Sequence, residues 1–92
     1  MSPELIAQEK FEHLLSLSFR IKDKASLNKI QTAKLCEFYD TFYYTRRLFV
    51  NNIFDRKTFY VRCDVIFAEF ETFLLDLQRC QEKDCVIDAE SL

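Results

Sequence analysis

The clearest pattern in the chain is an apolar repeat between residues 56 and 82. It recurs in alternating steps of four and three residues, at Phe59, Cys63, Ile66, Phe70, Phe73, Leu77 and Cys80. A second set follows the same steps at Val61, Val65, Ala68, Thr72 and Leu75. At about 100° per residue the two sets lie on opposite sides of one helix. The pattern therefore predicts a helix over 56–82 that is covered by a neighbour on each side.

Two further stretches have helical periodicity. The first predicts a helix over 3–23, with its apolar positions at Ala7, Phe11, Leu14, Leu15, Leu17 and Ile21. The second predicts a helix over 27–52, with its apolar positions at Leu35, Phe38, Tyr39, Phe42, Phe49, Val50 and Ile53. Residues three and four apart share one side of a helix, so each stretch has one side suited to a core.

Helix ends are marked by polar residues. Ser2 before Pro3 is a strong start signal, and Asn28 with Gln31 fits a capping box at the second helix. No glycine or proline separates the first two helices, so either a turn or a bend is possible there. The asparagines of "VNNIFD" can adopt left-handed geometry, and the aspartate that follows can cap the third helix. The acidic tail 83–92 loses periodicity and is expected to fray.

The fold class expected is all-α. The chain has no glycine, and tight hairpin turns and phosphate-binding loops depend on glycine. We predict a single domain over 1–92: a three-helix bundle built on a long antiparallel hairpin of the second and third helices. The first helix packs across this hairpin. Core positions are assigned to Leu14, Phe42, Phe59, Ile66, Phe70, Phe73 and Leu77.

More large apolar side chains are present than this small core requires. The surplus consists of Leu5, Phe19, Tyr43, Tyr44, Leu48 and Phe54. A cluster of large aromatic residues on long helices more often marks an interface than an ordinary surface. We assign partner binding to Phe19, Tyr43, Tyr44, Arg47 and Leu48. The sequence thus favours a non-enzymatic module that binds another protein through an aromatic helical surface and also forms a homodimer. Inhibitors, immunity proteins and phage antagonists are often built this way, which is an analogy of fold.

An alternative function is a small regulator associated with nucleic acid. Its dispersed basic surface would consist of Arg20, Lys22, Lys24, Arg46, Arg47 and Arg56. The stretch "FYDTFYYTRR" also mixes rings with arginines, as single-strand binders do. A formal net charge of −2 and a pI of about 5.4 weigh against this class. Arg46 itself could reach a partner's carboxylate, snorkel past the core rings, or pair with Glu69 or Asp76.

No catalytic or metal-binding arrangement is evident. His13 is the only histidine and lies beside Glu12, with Ser16 and Ser18 as its only near hydroxyls, and it is interpreted as a surface residue. The four cysteines form no C-x-x-C pair and are interpreted as small apolar residues kept reduced. Asp64 and Glu71 share one side of the third helix, but the Glu-x-x-His motif of di-metal bundles does not occur. We expect no enzyme activity, cofactor or metal.

The sequence contains no apolar run close to the ~20 residues of a membrane span and no signal-peptide pattern. A cytoplasmic protein is the expectation.

The stretch from Leu35 to Leu75, with "IFD" in its turn, resembles small uncharacterised helical-hairpin proteins of bacteria and their prophages. The resemblance covers less than half of the chain, and the usual turn glycine is missing here. It implies a helical hairpin and no particular activity.

Overall fold

The computed structural model describes the backbone of residues 2–90 and the side chains of residues 2–79. Three α-helices follow one another: α1 (Pro3–Ile21), α2 (Lys29–Val50) and α3 (Arg56–Glu90). A single 3₁₀ turn, Lys24–Ser26, lies between α1 and α2, and no strand occurs over residues 2–90. The all-helical class predicted from the sequence is confirmed, with the helices packed into a compact bundle.

The start of α1 departs from expectation in one detail. Ser2 has the extended backbone of an N-cap and Pro3 opens the helix, but the Ser2 side chain makes no capping hydrogen bond. Instead, its backbone carbonyl accepts hydrogen bonds from the N–H groups of Leu5 and Ile6, each at 3.2 Å. The fixed φ of proline and these carbonyl bonds therefore begin the helix without help from the hydroxyl group.

The connection between α1 and α2 is a turn and not a bend. Lys22 is extended, and its N–H donates to the carbonyl of Ser18 at 3.0 Å, which ends α1 before residue 23. Asn28 and Gln31 then form a reciprocal capping box. The N–H of Gln31 donates to Asn28 Oδ1 at 2.8 Å, and the N–H of Asn28 donates to Gln31 Oε1 at 3.1 Å. This box fixes the start of α2 at Lys29.

The turn between α2 and α3 is made without glycine. Asn52 has a φ of +64°, the left-handed geometry that asparagine tolerates better than most residues. The N–H groups of Ile53 and Phe54 both donate to the carbonyl of Leu48, which closes the end of α2. Asp55 then accepts a hydrogen bond from the N–H of Thr58 at 2.7 Å, and this bond holds the pKa of the Asp55 carboxyl below its usual value. Because of the left-handed Asn52 and the hydrogen bonds to the Leu48 carbonyl, α2 ends at Val50, two residues before the predicted end.

α3 is longer than its periodicity suggests. It continues to Glu90, past the predicted end at residue 82. Between these two positions the sequence has no proline or glycine, so the backbone meets no local obstacle to helix continuation. The side chains from residue 80 onward lie outside the described residues, and the predicted fraying of 83–92 stays a prediction.

The core is formed mainly by stacked phenylalanine rings from all three helices. Phe11 of α1 stacks on Phe42 of α2 at 4.5 Å, and Phe38 of α2 stacks on Phe70 of α3 at 4.7 Å. Offset or stacked rings contribute beyond the area that they bury. The seven residues assigned to the core from the sequence all lie here, with no more than 9% of any side chain exposed: Leu14, Phe42, Phe59, Ile66, Phe70, Phe73 and Leu77.

Polar residues complete the buried faces of α1 and α2. Ser18, Gln31 and Thr45 are buried at positions that continue the three- and four-residue steps of the neighbouring apolar residues. Three residues assigned to the apolar face of α2 are instead about half exposed or more: Tyr39, Val50 and Ile53. The buried side of α2 is formed instead by Phe38, Phe42 and Thr45. Tyr39 and Val50 lie at the edge of this side, and Ile53 lies beyond the end of the helix.

The prediction that α3 is covered on two opposite sides is wrong for this chain. Both α1 and α2 pack on its aromatic side, where Phe67 and Leu74 widen the buried surface enough to accept two helices. On the opposite side Val61, Val65 and Leu75 are 55%, 53% and 55% exposed. One side of α3 therefore serves the whole core, and the other faces solvent.

Candidate functional site

An aromatic surface of the bundle starts in a groove between α1 and α2. The groove encloses about 430 Å³ and is closed at one end by the 3₁₀ turn. Its walls are mostly apolar, with one acid and one lysine at the rim. The lining residues are Leu15, Phe19, Lys24, Leu27, Thr32, Leu35, Cys36, Tyr39 and Asp40.

A shallower depression continues this groove along α2. It is lined by Tyr39, Asp40, Thr41, Tyr43, Tyr44 and Arg47. Tyr39 and Asp40 line both, so the two form one continuous surface that follows about four turns of α2 from Thr32 to Arg47. We call this surface the aromatic face and define it by Phe19, Tyr39, Asp40, Tyr43, Tyr44 and Arg47.

The aromatic face is supported directly by the core. The ring of Phe11, fully buried, meets the edges of Tyr39 at 6.2 Å and Tyr43 at 5.9 Å. Tyr43 also packs edge-to-face on Phe42 at 5.1 Å, and its centroid lies 4.6 Å from that of Tyr39. Side chains held against buried rings lose little further conformational freedom when a partner binds.

The environment of Tyr43 is partly desolvated and acidic. Burial raises the pKa of its phenol, and the charge of Glu12 together with Tyr39 raises the pKa further, while Arg46 opposes this effect. The hydroxyl group therefore stays protonated over the physiological range. It can donate a hydrogen bond to a partner throughout that range.

Four of the five residues assigned to partner binding lie on this surface. Phe19 is half buried in the groove, and Tyr43, Tyr44 and Arg47 line the depression. Leu48 lines neither of them and is half buried near the end of α2. The sequence interpretation assigned Asp40 to a solvated face in preference to an acidic binding surface, and it placed Tyr39 in the core. The sequence did contain a signal for the exposure of Tyr39. It lies about 100° around the helix from the buried position Phe38, which places it at the edge of the apolar side.

Arg46 lies beside this surface rather than within it. Its side chain is half buried, and its Nε is buried without a hydrogen-bond partner in the described part of the chain. It forms no ion pair with Glu69 or Asp76, since the ion pair found over residues 2–79 joins Lys34 to Glu37. A snorkelling side chain fits this placement better than an internal pair.

The remaining candidates from the sequence are placed apart from one another. The Ser18 hydroxyl is fully buried and donates to the Leu15 carbonyl at 2.6 Å, which commits it to a structural role. His13 lies in a different groove, between α1 and α3, together with Arg20 and Glu71. Over the described residues no group of three or more His, Cys, Asp or Glu side chains is placed to hold a metal ion.

Two of the four cysteines have described side chains, and they differ. Cys63 is buried in the core, and its burial, with the charge of Asp64, raises the pKa of the thiol to about 12. Cys36 is an exposed free thiol on the wall of the α1/α2 groove. Cys80 and Cys85 lie outside the residues with described side chains.

The six basic residues of the nucleic-acid alternative are distributed over several parts of the bundle. Arg20 lines the α1/α3 groove, Lys24 lines the α1/α2 groove, Arg47 lies on the aromatic face, and Arg56 begins α3. Asp40 sits between Lys24 and Arg47 on the same surface. This function stays a prediction.

Comparison with known proteins identifies no relative. The chain matches no protein-family model, no curated protein and no solved structure. Within the described residues, none of the helices combines the length and the apolar character that a bilayer crossing requires. The candidate site therefore has to be interpreted from its own residues.

Proposed function

We propose that this protein acts by binding another protein, with the aromatic face as its docking surface. The observation that carries the proposal is the continuity of that face: Phe19, Tyr39, Tyr43 and Tyr44 follow one another across α1 and α2. Tyr44 is 60% exposed and Tyr39 is 49% exposed. Tyrosines that offer a large ring with few rotatable bonds are favoured at protein interfaces.

The charges on the aromatic face define the partner further. Asp40 and Arg47 are seven residues apart on α2, which places them on one side of the helix about 10 Å apart along its axis. Neither forms an ion pair with residues 2–79. The complementary segment has an apolar side chain for the groove, a basic residue for Asp40 and an acidic residue for Arg47. Charges arranged in this way would fix the register of the partner.

The proposed function assumes a helical hairpin as its scaffold. We infer that α2 and α3 run antiparallel. Ring contacts between Phe49 and Phe59 at 4.4 Å and between Phe38 and Phe70 at 4.7 Å support this arrangement. The turn joining the two helices spans only residues 51–55, which suits antiparallel neighbours.

A homodimer through the aromatic face is a second form of the same proposal. The Asp40 of one copy would meet the Arg47 of another in an antiparallel pairing of the two α2 helices, which is the symmetry that two-fold dimers require.

An inhibitor, immunity protein or phage-type antagonist is the class of activity that we propose, by analogy of fold. A cytoplasmic location fits the free thiols of Cys36 and Cys63.

The test uses two matched tyrosine variants. Tyr44→Glu puts a charge on the aromatic face, whereas Tyr60→Glu puts the same charge on α3, where Tyr60 is 42% exposed. Affinity capture from the native cell, quantified by mass spectrometry with isotopic labels, should recover a protein with the wild type and the Tyr60 variant. Capture should fall at least about tenfold with Tyr44→Glu, as expected for an interface anchor.

Two results would count against the proposal. One is equal capture by both variants, which would place the interface elsewhere. The other is no protein captured by the wild type together with a monomeric chain in light scattering, which would remove both forms of the proposal. Circular dichroism of each variant checks that the helices are intact.

A further inference from the structure

The solvent-facing side of α3 is an unpartnered apolar stripe. Its residues are Val61, Val65, Ala68, Thr72 and Leu75, and all five are exposed. Steps of four, three, four and three place them along a single seam, as in the contact positions of a coiled coil. Val65 and Thr72 occupy one of the two contact positions of the heptad, and Val61, Ala68 and Leu75 occupy the other. This side of α3 is opposite the core and separate from the aromatic face.

Acidic residues border most of the stripe on both edges, and the basic residues Lys57 and Arg62 border its start. Asp64 and Glu71 lie on one edge, and Glu69 and Asp76 lie on the other, as the helical angle of 100° per residue requires. All four side chains are exposed, and none forms an ion pair with residues 2–79. A helix docked on the stripe would place its own flanking residues beside these four carboxylates.

These charges disfavour a second copy of the chain as the occupant. In a parallel pair of α3 helices, Asp64 would face the Glu69 of the other copy and Glu71 would face its Asp76. In the antiparallel register that aligns the whole stripe, Asp64 would face Glu71. Like charges directly opposed destabilise the parallel pair. In the antiparallel pair the contacts of Arg62 with Glu69 only balance the repulsion between Asp64 and Glu71, so neither arrangement gains from its charges.

We propose that this stripe, the α3 seam, docks an amphipathic helix of a partner protein whose apolar seam is flanked by lysine or arginine residues. Basic residues on both flanks pair with Asp64 and Glu71 on one edge and with Glu69 and Asp76 on the other. The apolar residues of the incoming helix cover Val65 and Leu75, which are each more than half exposed. The α3 seam lies apart from the aromatic face, so the chain would hold a helix on α3 and a partner on the aromatic face at the same time.

Two synthetic peptides test the proposal on the full chain. Both have about four heptads with isoleucine and leucine at the seam positions. One carries lysine at every flanking position, and the other carries glutamate. In a titration followed by NMR of the isotopically labelled protein, the lysine peptide should shift the signals of residues 61–76 and bind at least about tenfold more tightly than the glutamate peptide. Its affinity should fall as salt is raised.

Matched variants separate the seam from a general attraction of opposite charges. Val65→Ser with Leu75→Ser removes apolar contacts and should weaken the lysine peptide by at least about tenfold. Glu69→Lys with Glu71→Lys should reverse the preference between the two peptides. Because all four positions are exposed, these variants should fold, and circular dichroism verifies this.

The proposal is wrong under three outcomes. The first is equal affinity for both peptides or no binding of the lysine peptide. The second is binding that the paired serine substitutions leave unchanged. The third is a set of shifted signals located at Tyr39, Tyr43 and Tyr44 instead of the α3 seam, which would assign the peptide to the aromatic face. The aromatic-face proposal is tested by different variants, so the two can fail separately.

Discussion

At the scale of single residues, the core depends on a few phenylalanines at defined positions. Phe70 is fully buried and contacts Phe38, Phe11 and Phe73 through its ring. It is thereby one of the residues at which all three helices meet, together with Phe11 and Phe42. Its position followed from the four-and-three spacing on α3, since a ring in the middle of such a stripe has neighbours on every side. The burial of Ser18 and Thr45 could not be predicted from the apolar spacing. Each hydroxyl donates a hydrogen bond to a backbone carbonyl of its own helix, and this allows a polar side chain to be buried.

Replacing Phe70 by alanine should therefore be severe. Phe70→Ala removes a ring from three aromatic contacts and leaves a cavity, so we expect a loss of about 3 to 5 kcal/mol in the free energy of unfolding. Chemical denaturation followed by circular dichroism measures this loss. Val65→Ala on the exposed side of the same helix is the control and should change stability by no more than about 0.5 kcal/mol. Equal losses for the two variants would show that the helical phase assigned to α3 is wrong.

The two described cysteines should differ sharply in reactivity. With Cys80 and Cys85 replaced by serine, a thiol reagent at pH 8 should label Cys36 in the native protein and leave Cys63 unlabelled. Cys63 is 2% exposed, and a thiol pKa of about 12 leaves almost no thiolate at that pH. Denaturant should make both thiols react. Comparable rates for the two thiols in the native state would contradict the burial of Cys63.

At the scale of helices and turns, local sequence signals predicted the connections well. Asn28 and Gln31 form the expected capping box, Asn52 takes left-handed geometry and Asp55 caps α3. These features depend on residues close in sequence, so they are visible without the fold. Which sides of α3 are covered depends instead on how α1 and α2 share space. The periodicity of α3 showed that the helix has two apolar sides. It could not show that α1 and α2 both pack on the aromatic side.

The turn at Asn51 and Asn52 offers a test of local backbone geometry. Asn52, at φ +64°, should accept glycine with little change, whereas Asn52→Val should cost about 1 to 2 kcal/mol. Asn51, with φ −87°, should show the opposite pattern and lose stability when replaced by glycine but not by alanine. Thermal unfolding of the four variants measures these changes. A stabilised or unchanged Asn52→Val variant would show that residue 52 does not adopt the left-handed region.

At the scale of the whole molecule, the bundle separates its core from two surfaces with different chemistry. The aromatic face spans α1 and α2 and carries both an acid and an arginine. The α3 seam is aliphatic and is bordered by four acids. The sequence assigned Phe19, Tyr43 and Tyr44 of the first surface to an interface because large aromatic residues exceeded what the core could hold, but it placed Tyr39 in the core. It assigned the second surface to the interior, since an apolar seam on a helix is equally suited to a core and to a partner.

The central claim is that a partner protein contacts the aromatic face, and site-specific photocrosslinking tests it most directly. A photoreactive phenylalanine analogue would replace Tyr44 in one variant and Tyr60, outside that face, in another, with both variants produced in the native cell. Irradiation should yield one defined adduct of higher mass from position 44 and much less of it from position 60. If position 44 yields no adduct, or if both positions yield the same adducts in equal amounts, the aromatic face is not the docking surface.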